Sequence, residues 1–329
     1  MPLNNTVTYI IAFLLSFILT IAFEKKLIPR LSAIAKQPIY EEGPSWHLKK
    51  SGTPTMGGLA FLFATIISLT TVLALFSEKF TDMQILSITL SLIYAILNSL
   101  IGVFDDLTKL KRKKNAGLTP REKLIMQTIA AASYLTARGF FLNDDTAITF
   151  ASLEIDLGLF YYPLSLIFLL GLVNSTNLTD GIDGLASSVA FAIGVGAFYL
   201  TANINAEGAI ISLSLIGIAL GFLLFNIHPA KIFMGDTGSL FIGAFIATMA
   251  FTLDNQLIIL IIAGVYAFEG FSVALQVIFY KLTKRRIFRM APFHHHLERY
   301  GWDENKICVS AIFATLILSI PAYILYTSI

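Results

Sequence analysis

Charged residues are scarce in this sequence. Of its 329 residues, 13% are Asp, Glu, Lys or Arg and 56% are hydrophobic, and the mean hydropathy is +0.76. About a quarter of the residues of a soluble domain are charged. A chain with half as much charge cannot cover a water-exposed surface, so we expect an integral membrane protein.

Sequence signatures of several common sites are also missing. Cysteine occurs once, at Cys308, which excludes an intramolecular disulfide. No G-x-x-x-x-G-K-[ST] sequence is present, which excludes a P-loop nucleotide site. The lack of H-E-x-x-H and of paired C-x-x-C argues against a zinc site. The formal net charge of +2 gives no indication of nucleic-acid binding, and we expect none.

What the sequence has in abundance is long apolar runs. A membrane-spanning helix needs about 20 apolar residues. Ten runs come close to that length: 6–23, 56–76, 84–104, 122–142, 159–176, 185–203, 208–227, 237–253, 256–280 and 307–328. The first is not an ordinary cleaved signal peptide, because Lys25, Lys26 and Arg30 follow it and no basic residue precedes it. We predict an all-α polytopic protein with about ten transmembrane helices, forming one integral membrane domain over 1–329.

The basic residues predict how these spans are oriented. With ten spans, both termini share a side, and 21 of the 23 Lys and Arg fall in or beside one alternate set of loops: 24–55, 105–121, 177–184, 228–236 and 281–306. Only Lys79 and Arg138 fall on the other side. The positive-inside rule makes the basic set cytoplasmic and both termini external. The longest external loop contains "AITFASLEIDLG", whose alternation predicts a small β-hairpin near 147–157.

Aspartates gather in three of the predicted cytoplasmic segments. Asp105 and Asp106 end an apolar run in "FDDLTK", and Asp236 precedes another in "FMGDTGS". Asp180 and Asp183 lie in "NLTDGIDGL", three residues apart, which would place them on one face of a helical turn with no base nearby. Each group alone also suits a helix cap. Together, carboxylates on one membrane face predict a Mg²⁺ or Mn²⁺ site for a diphosphate, with a lipid as the second substrate.

Three other features are candidates for function. The run His294–His296 has poor spacing for a shared metal ion, since consecutive side chains on a helix diverge by about 100°, and suits phosphate binding or proton transfer. Lys50, in "HLKKSGTPTMGG", is either a phosphate contact or a basic flank of the next span. Glu269, inside the ninth run, is either functional or hydrogen-bonded to a neighbouring helix, and Gly270 beside it suggests a bend.

Five of these motifs occur in the order of a known family. "KSGTPTMGG", "FDDLTK", "NLTDGIDGL", "NIHPAKIFMGDTGS" and "APFHHHLE" resemble the polyprenyl-phosphate N-acetylhexosamine-1-phosphate transferases. The form of the last motif favours the branch that uses UDP-N-acetylmuramoyl-pentapeptide over the branch that uses UDP-GlcNAc. The resemblance implies a Mg²⁺-dependent transfer to undecaprenyl phosphate that yields lipid I and UMP in peptidoglycan synthesis. It also implies a homodimer in the bacterial plasma membrane.

The resemblance further implies roles for individual residues. Catalytic roles fall to Asp105, Asp106, Asp236, His294, His295 and His296, with Asp236 the Mg²⁺ ligand. Substrate-binding roles fall to Lys50, Thr55, Lys109, Lys123, Asn177, Asp180, Gly181, Ile182, Asp183, Asn226 and Phe233. Of these, Phe233 is implied to stack beside uracil.

The mechanism and the class of protein each have an alternative. In one scheme Asp105 deprotonates the lipid phosphate, which attacks the donor directly; in another an aspartate is a covalent nucleophile. We expect direct attack with the Asp105–Asp106 pair holding phosphate and metal, because two substrates bound side by side need no acyl phosphate. A cation-coupled transporter is the other class considered, but its acidic residues would lie near mid-membrane.

Overall fold

The computed structural model describes residues 5–35, 50, 52–112, 117–150, 153–253 and 255–327. Helices dominate this part of the chain. In chain order they are α1 Thr6–Ile34, α2 Gly58–Phe76, α3 Asp82–Arg112, α4 Pro120–Phe141, α5 Tyr161–Thr179, α6 Leu185–Thr201, α7 Ala206–Asn226, α8 Gly235–Thr252, α9 Gln256–Ile262, α10 Gly264–Thr283, α11 Phe293–Glu298 and α12 Glu304–Thr327. Short 3₁₀ turns at Ser77–Lys79 and Gly158–Phe160 follow α2 and precede α5. Part of the first predicted basic loop, residues 36–49 and 51, lies outside the described residues.

The described helices confirm a polytopic all-α membrane protein. Seven helical segments within them are long and apolar enough to cross a membrane, and they contain α1, α2, α3, α5, α7, α10 and α12. The run 256–280, expected as one span, is two helices that meet at Ala263. Gly270 does not break α10, which continues through it, and a Cβ atom at this position would be 2.1 Å from the Ser175 hydroxyl oxygen. The total of ten spans and the side of each terminus stay predictions.

The predicted hairpin is present between α4 and α5. Strand β1, Ala147–Phe150, pairs antiparallel with β2, Leu153–Asp156, and Ile148 lies opposite Ile155. The Asp156 carboxylate accepts hydrogen bonds from the Thr146 hydroxyl (2.7 Å) and the Gly158 amide (2.9 Å), which closes the open end of the ribbon.

Helix α8 forms the centre of the protein. Every residue from Thr237 to Thr252 is buried, and α3, α5 and α2 pack around it. Small residues allow the closest approach: a Cβ atom at Gly102 would be 2.3 Å from the Asp236 carbonyl oxygen, and the Ser99 hydroxyl donates to the Thr237 carbonyl (3.0 Å). The N-terminus of α8 is thereby held against the part of α3 that carries the adjacent aspartates.

A buried arginine ties four helices together at the other end of α8. The Arg138 guanidinium, on α4, binds Asp144 through two hydrogen bonds of 2.5 and 3.0 Å. It also donates to the Phe251 carbonyl (3.0 Å) and to the Ser87 hydroxyl (2.9 Å). Ser87 in turn donates to Glu207 in the first turn of α7 (2.5 Å). This arginine is therefore a neutralised structural element and not an exposed loop cation.

Candidate active site

Three carboxylates from two helices meet at the N-terminus of α8. Asp105 and Asp106 lie on α3, where both are buried, and Asp236 lies in the first turn of α8. One oxygen atom from each of the three lies within 4.8 Å of the other two. We call this group the three-carboxylate cluster. Its all-oxygen composition suits a hard divalent cation.

Asp106 is directed into the backbone of α8. Its Oδ2 accepts hydrogen bonds from the Thr237 amide (3.0 Å) and the Thr237 hydroxyl (2.7 Å), and its Oδ1 accepts from the Asp236 amide (3.2 Å). The first amides of a helix have no partner within the helix, so this carboxylate caps α8 from outside. Gly235 precedes them with φ +68°, and a Cβ atom there would be 2.5 Å from Asp106 Oδ2. The glycine therefore makes the cap possible.

Asp105 faces the segment that leads into α4. Its Oδ1 accepts a hydrogen bond from the Leu118 amide (2.8 Å). A Cβ atom at Gly117 would lie 2.4 Å from the same oxygen, so the bare backbone closes over the carboxylate. Its Oδ2 lies 2.6 Å from Lys109 Nζ. Both oxygens of Asp105 are thus positioned by groups outside α8.

Two lysines neutralise most of the negative charge of the three-carboxylate cluster. Lys109 lies one turn beyond Asp105 on α3, and its Nζ is also 3.2 Å from Asp236 Oδ2. Lys123 pairs with the same Asp236 oxygen and is 3.7 Å from Asp105 Oδ2. It lies in the first turn of α4, where Thr119 and Glu122 form a reciprocal capping box. Both lysines could meet a bound phosphate from these positions.

The segment between α5 and α6 is a turn and not a helix. α5 ends before Asp180, and Gly184 adopts φ +80° before α6 begins. The expectation that Asp180 and Asp183 share one helical face is therefore wrong. Burial raises the pKa of the Asp180 carboxyl well above its ordinary value, and the charges of Asp236, Asp106 and Asp183 act in the same direction. Asp180 thus lies within electrostatic reach of Asp236, Asp106 and Asp183.

Asp183 belongs to a second group of charges, which we call the mixed cluster. Its carboxylate lies 2.7 Å from Lys50 Nζ and 2.9 Å from His228 Nδ1, and it accepts the Ala230 amide at 3.0 Å. Glu304, in the first turn of α12, binds Lys50 Nζ at 2.6 Å and the Asp183 amide at 2.6 Å. The expectation that no base lies near the acids of this turn is wrong. Asp183, His228 and Glu304 could also hold a metal ion by distance alone, although Lys50 already pairs with both carboxylates.

Two asparagines connect the site segments. Asn177, on the last turn of α5, donates to Asp236 Oδ1 (3.1 Å) and to the Ser239 hydroxyl (2.8 Å). Asn226, at the end of α7, is buried, accepts the Gly184 amide (3.0 Å) and donates to the Ile232 carbonyl (2.9 Å). The structure therefore gives Asn226 the position of a clamp between the turn after α5 and the segment before α8.

The segment before α8 pairs with the segment before α2. The Phe233 amide donates to the Pro54 carbonyl (2.8 Å), and the Gly57 amide donates to the Phe233 carbonyl (2.9 Å). Thr55 is buried between them, and its hydroxyl oxygen would be 2.8 Å from a Cβ atom at Gly235. The Phe233 side chain is half-buried. These pairings bring the Thr55 and Phe233 positions beside the N-terminus of α8.

The three consecutive histidines lie on α11 and make separate contacts, as their spacing predicts. His294 is buried against Glu269, His295 Nδ1 lies 2.6 Å from Glu298, and His296 Nδ1 accepts the Arg289 amide (2.9 Å). Burial and the charge of Arg289 lower the pKa of His296. Only His294 reaches the turn after α5, where Gly181 is half-buried and Ile182 is buried.

Some residues of the site carry weak sequence signals. Glu304 follows Asp303 at the start of a helix, where an acidic residue ordinarily interacts with the helix dipole. For His228 the sequence offers only its position before Pro229, which does not predict a contact with Asp183. The link from Glu269 to His294 spans 25 residues and no motif predicts it, although the depth of Glu269 in an apolar run marks it as unusual.

Comparison with known proteins gives consistent matches along the chain. The model of Glycosyl transferase family 4 matches residues 88–254, and Phospho-N-acetylmuramoyl-pentapeptide-transferase signature 1 matches residues 50–62. A protein of Halalkalibacterium halodurans named phospho-N-acetylmuramoyl-pentapeptide-transferase is 41% identical over 323 residues, 96% of this chain and 98% of that protein. Proteins of the same name from Bacillus subtilis (strain 168) and Clostridium perfringens are 42% and 40% identical, over 93% and 91% of this chain and 94% and 90% of their own lengths.

Proposed function

The chain belongs to the family of phospho-N-acetylmuramoyl-pentapeptide-transferases, and from this premise we propose the reaction that it catalyses. It transfers phospho-N-acetylmuramoyl-pentapeptide from UDP-N-acetylmuramoyl-pentapeptide to undecaprenyl phosphate, giving lipid I and UMP for peptidoglycan synthesis. The observation that carries this proposal is the three-carboxylate cluster with Lys109 and Lys123 beside it, because a diphosphate substrate needs a metal site and phosphate-binding cations together.

The metal proposed for the three-carboxylate cluster is Mg²⁺, with Asp236 as its principal ligand. The residues present fit this ion, since three carboxylates lie within ligand distance of one another and no Cys or His is among them. When bound, Mg²⁺ supplies charge neutralisation for the diphosphate and the leaving UMP. Lys109 and Lys123 hold the same Asp236 oxygen, so both ammonium groups lie where substrate phosphates would bind beside the ion.

The proposed chemistry is direct attack by the lipid phosphate. A phosphate oxygen of undecaprenyl phosphate forms a bond to the β-phosphorus of the donor, the bond between the two phosphates breaks, and UMP leaves. A phosphate monoester loses its second proton with a pKa near 6, so little remains for a base to remove at neutral pH. Both oxygens of Asp106 accept hydrogen bonds from α8 amides, and Asp105 is paired with Lys109. These contacts suit positioning of phosphate and metal better than nucleophilic attack.

The nucleoside of the donor is proposed to bind where the turn after α5 meets the segment before α8. Asn226 fastens these two segments together, and Phe233 offers a half-buried ring beside them. Lys50 and Thr55 flank the same region from the segment before α2. Because the basic loops are predicted to be cytoplasmic, we place this site on the cytoplasmic side of the bacterial plasma membrane. We also propose a homodimer, as the family resemblance implies.

A UMP-release assay tests the proposed function. Purified protein is incubated with undecaprenyl phosphate and either UDP-N-acetylmuramoyl-pentapeptide or UDP-GlcNAc, with Mg²⁺ or with EDTA. We expect UMP only from the first nucleotide and only with Mg²⁺. Asp236→Ala should abolish release with the melting temperature retained, while Asp156→Ala, in the hairpin, should be fully active. UMP from UDP-GlcNAc alone would assign the chain to the other branch.

The covalent alternative has its own test. Protein incubated with UDP-N-acetylmuramoyl-pentapeptide and Mg²⁺, without the lipid acceptor, is denatured and analysed by intact-protein mass spectrometry. Direct attack predicts an unmodified mass. A stable addition of the phospho-sugar-peptide to Asp105 or Asp106 would contradict it.

A further inference from the structure

Glu269 makes an unusual set of contacts for a carboxylate inside an apolar helix. It lies on α10, is 5% exposed, and accepts the backbone amide of His294 at 3.0 Å (Oε1) and 3.2 Å (Oε2). Its Oε2 is also 3.2 Å from His294 Nδ1. The His294 ring is fully buried. One carboxylate therefore fixes both the start of α11 and the orientation of a single imidazole ring.

These contacts determine which ring nitrogen carries the proton. An ionised carboxylate only accepts hydrogen bonds, so the nitrogen that faces it must be a donor. In a neutral imidazole the other nitrogen is then an acceptor. Glu269 therefore places the proton on Nδ1 of His294 and leaves Nε2 with an unshared electron pair.

Nε2 of His294 is directed at the turn after α5. A Cβ atom at Gly181 would be 2.3 Å from it, so the ring lies directly against the glycine backbone. Among the described residues Nε2 has no hydrogen-bond partner, although it is buried. Buried polar atoms are nearly always hydrogen-bonded in native proteins, so an exception calls for an explanation, of which a role in catalysis is one. Gly181 is half-buried and adjoins Asp180, at the edge of the proposed nucleoside region.

We propose that Glu269 is a positioning residue that holds His294 in its Nδ1-protonated form, so that Nε2 accepts a hydrogen bond from an N–H or O–H group of the sugar nucleotide. This inference rests on the proposed function. The carboxylate acts only through the histidine, which is the group that meets the substrate. The role of Glu269 inside an apolar helix is therefore to fix the protonation of the His294 ring, and not to contact lipid.

Glu269→Gln is the informative variant. The Gln oxygen can still accept the His294 amide, but its NH₂ group faces Nδ1 and can only donate. The ring proton then moves to Nε2, which becomes a donor in place of an acceptor. We expect kcat/KM for UDP-N-acetylmuramoyl-pentapeptide to fall about tenfold or more, the size of a lost hydrogen bond, with the melting temperature unchanged.

His294→Asn separates the two ends of the ring. The Asn Nδ2 occupies the position of the ring Nδ1 and can still donate to Glu269, but nothing replaces Nε2. We expect this variant to lose at least as much kcat/KM as Glu269→Gln, and the double variant to lose no more than His294→Asn alone. Glu24→Gln is the matched control, because it makes the same substitution at another buried glutamate, in α1, and should leave kcat/KM as in wild type.

NMR spectroscopy of the histidine rings in the wild-type protein tests the inference even if a variant fails to fold. With ¹⁵N-labelled histidine, two-bond proton–nitrogen spectra of the full-length protein in detergent should show a ring protonated at Nδ1 that is lost in His294→Asn. The rings of His228 and His295, whose Nδ1 atoms also face carboxylates, stay in that spectrum and do not report on the inference. Adding UDP-N-acetylmuramoyl-pentapeptide with EDTA should shift the Nε2 signal of His294. A His294 ring protonated at Nε2, or wild-type kcat/KM in Glu269→Gln or His294→Asn, would overturn the inference. Wild-type protein that releases no UMP would instead contradict the proposed function.

Discussion

Asp106→Ala is the substitution whose effect the structure defines most fully. The carboxylate accepts two backbone amides and one hydroxyl at the start of α8, at 3.2, 3.0 and 2.7 Å. α8 is the central helix, and the side chain at its own N-cap position, Met234, makes no hydrogen bond to the amides at this end. Alanine would leave three donors buried beneath α3 without an acceptor.

The magnitude follows from those three bonds. A hydrogen bond to a charged group contributes about 1.5–3 kcal/mol, and the loss of an N-cap costs about 0.5–2 kcal/mol. The bonds share one carboxylate, so their contributions do not add fully. We expect Asp106→Ala to lower the free energy of unfolding by about 3–5 kcal/mol, and Asp106→Asn, which keeps one acceptor, to cost about half as much.

Thermal melting followed by size-exclusion chromatography in detergent measures this loss. Asp236→Ala is the matched comparison: its carboxylate belongs to the same cluster but accepts only side-chain donors, from Asn177, Lys109 and Lys123. Asp106→Ala should melt several degrees below wild type and Asp236→Ala close to it, although both lose activity. An Asp106→Ala protein that melts with wild type while Asp236→Ala melts earlier would refute the assignment of Asp106 as the cap.

Three further predictions concern other parts of the site. Gly181→Ala should lower both activity and melting temperature, because its Cβ would lie 2.3 Å from His294 Nε2, whereas Gly171→Ala, with nothing within 4 Å, should be neutral or stabilising by up to about 1 kcal/mol. Glu304→Ala should cost about 2–3 kcal/mol in melting experiments, because the Asp183 amide loses its acceptor and Lys50 loses one of its two, and a wild-type melting temperature would contradict this. Millimolar Mg²⁺ should raise the melting temperature of wild type but not of Asp236→Ala, and an equal rise in both would place the ion elsewhere.

The sequence predicted the three-carboxylate cluster better than the roles within it. Apolar runs end or begin beside Asp105, Asp106 and Asp236 on one predicted membrane face. The predicted topology alone therefore indicated that these three carboxylates lie on the same side of the membrane. The separate roles of Asp105 and Asp106 follow only from the folded structure. Adjacent residues on a helix point about 100° apart, so Asp106 reaches the amides of α8 while Asp105 faces the segment before α4.

Contacts between distant segments account for most of what the sequence did not predict. Lys50 and Glu304 are 254 positions apart, and neither sequence context indicates a shared ion pair. The three-residue spacing of Asp180 and Asp183 fits a helix, yet α5 ends at Thr179 and the turn that follows leads through Gly184 at φ +80° into α6. The break at Ala263 carries only Gly264 as a signal, and a lone glycine in an apolar run is common.

The buried arginine near the end of α4 bears on how the chain enters a membrane. Arg138 and Lys79 are the two basic residues that oppose the predicted charge asymmetry of the loops. In the folded protein the charge of Arg138 is matched by Asp144, six residues later, and two further donors bind Ser87 and a carbonyl of α8. The positive-inside rule counts Lys and Arg and gives acidic residues little weight, so the nearby Asp144 does not remove Arg138 from the orientation signal of the nascent chain. The ion pair acts later, in the folded protein, where it allows this opposing cation to be buried.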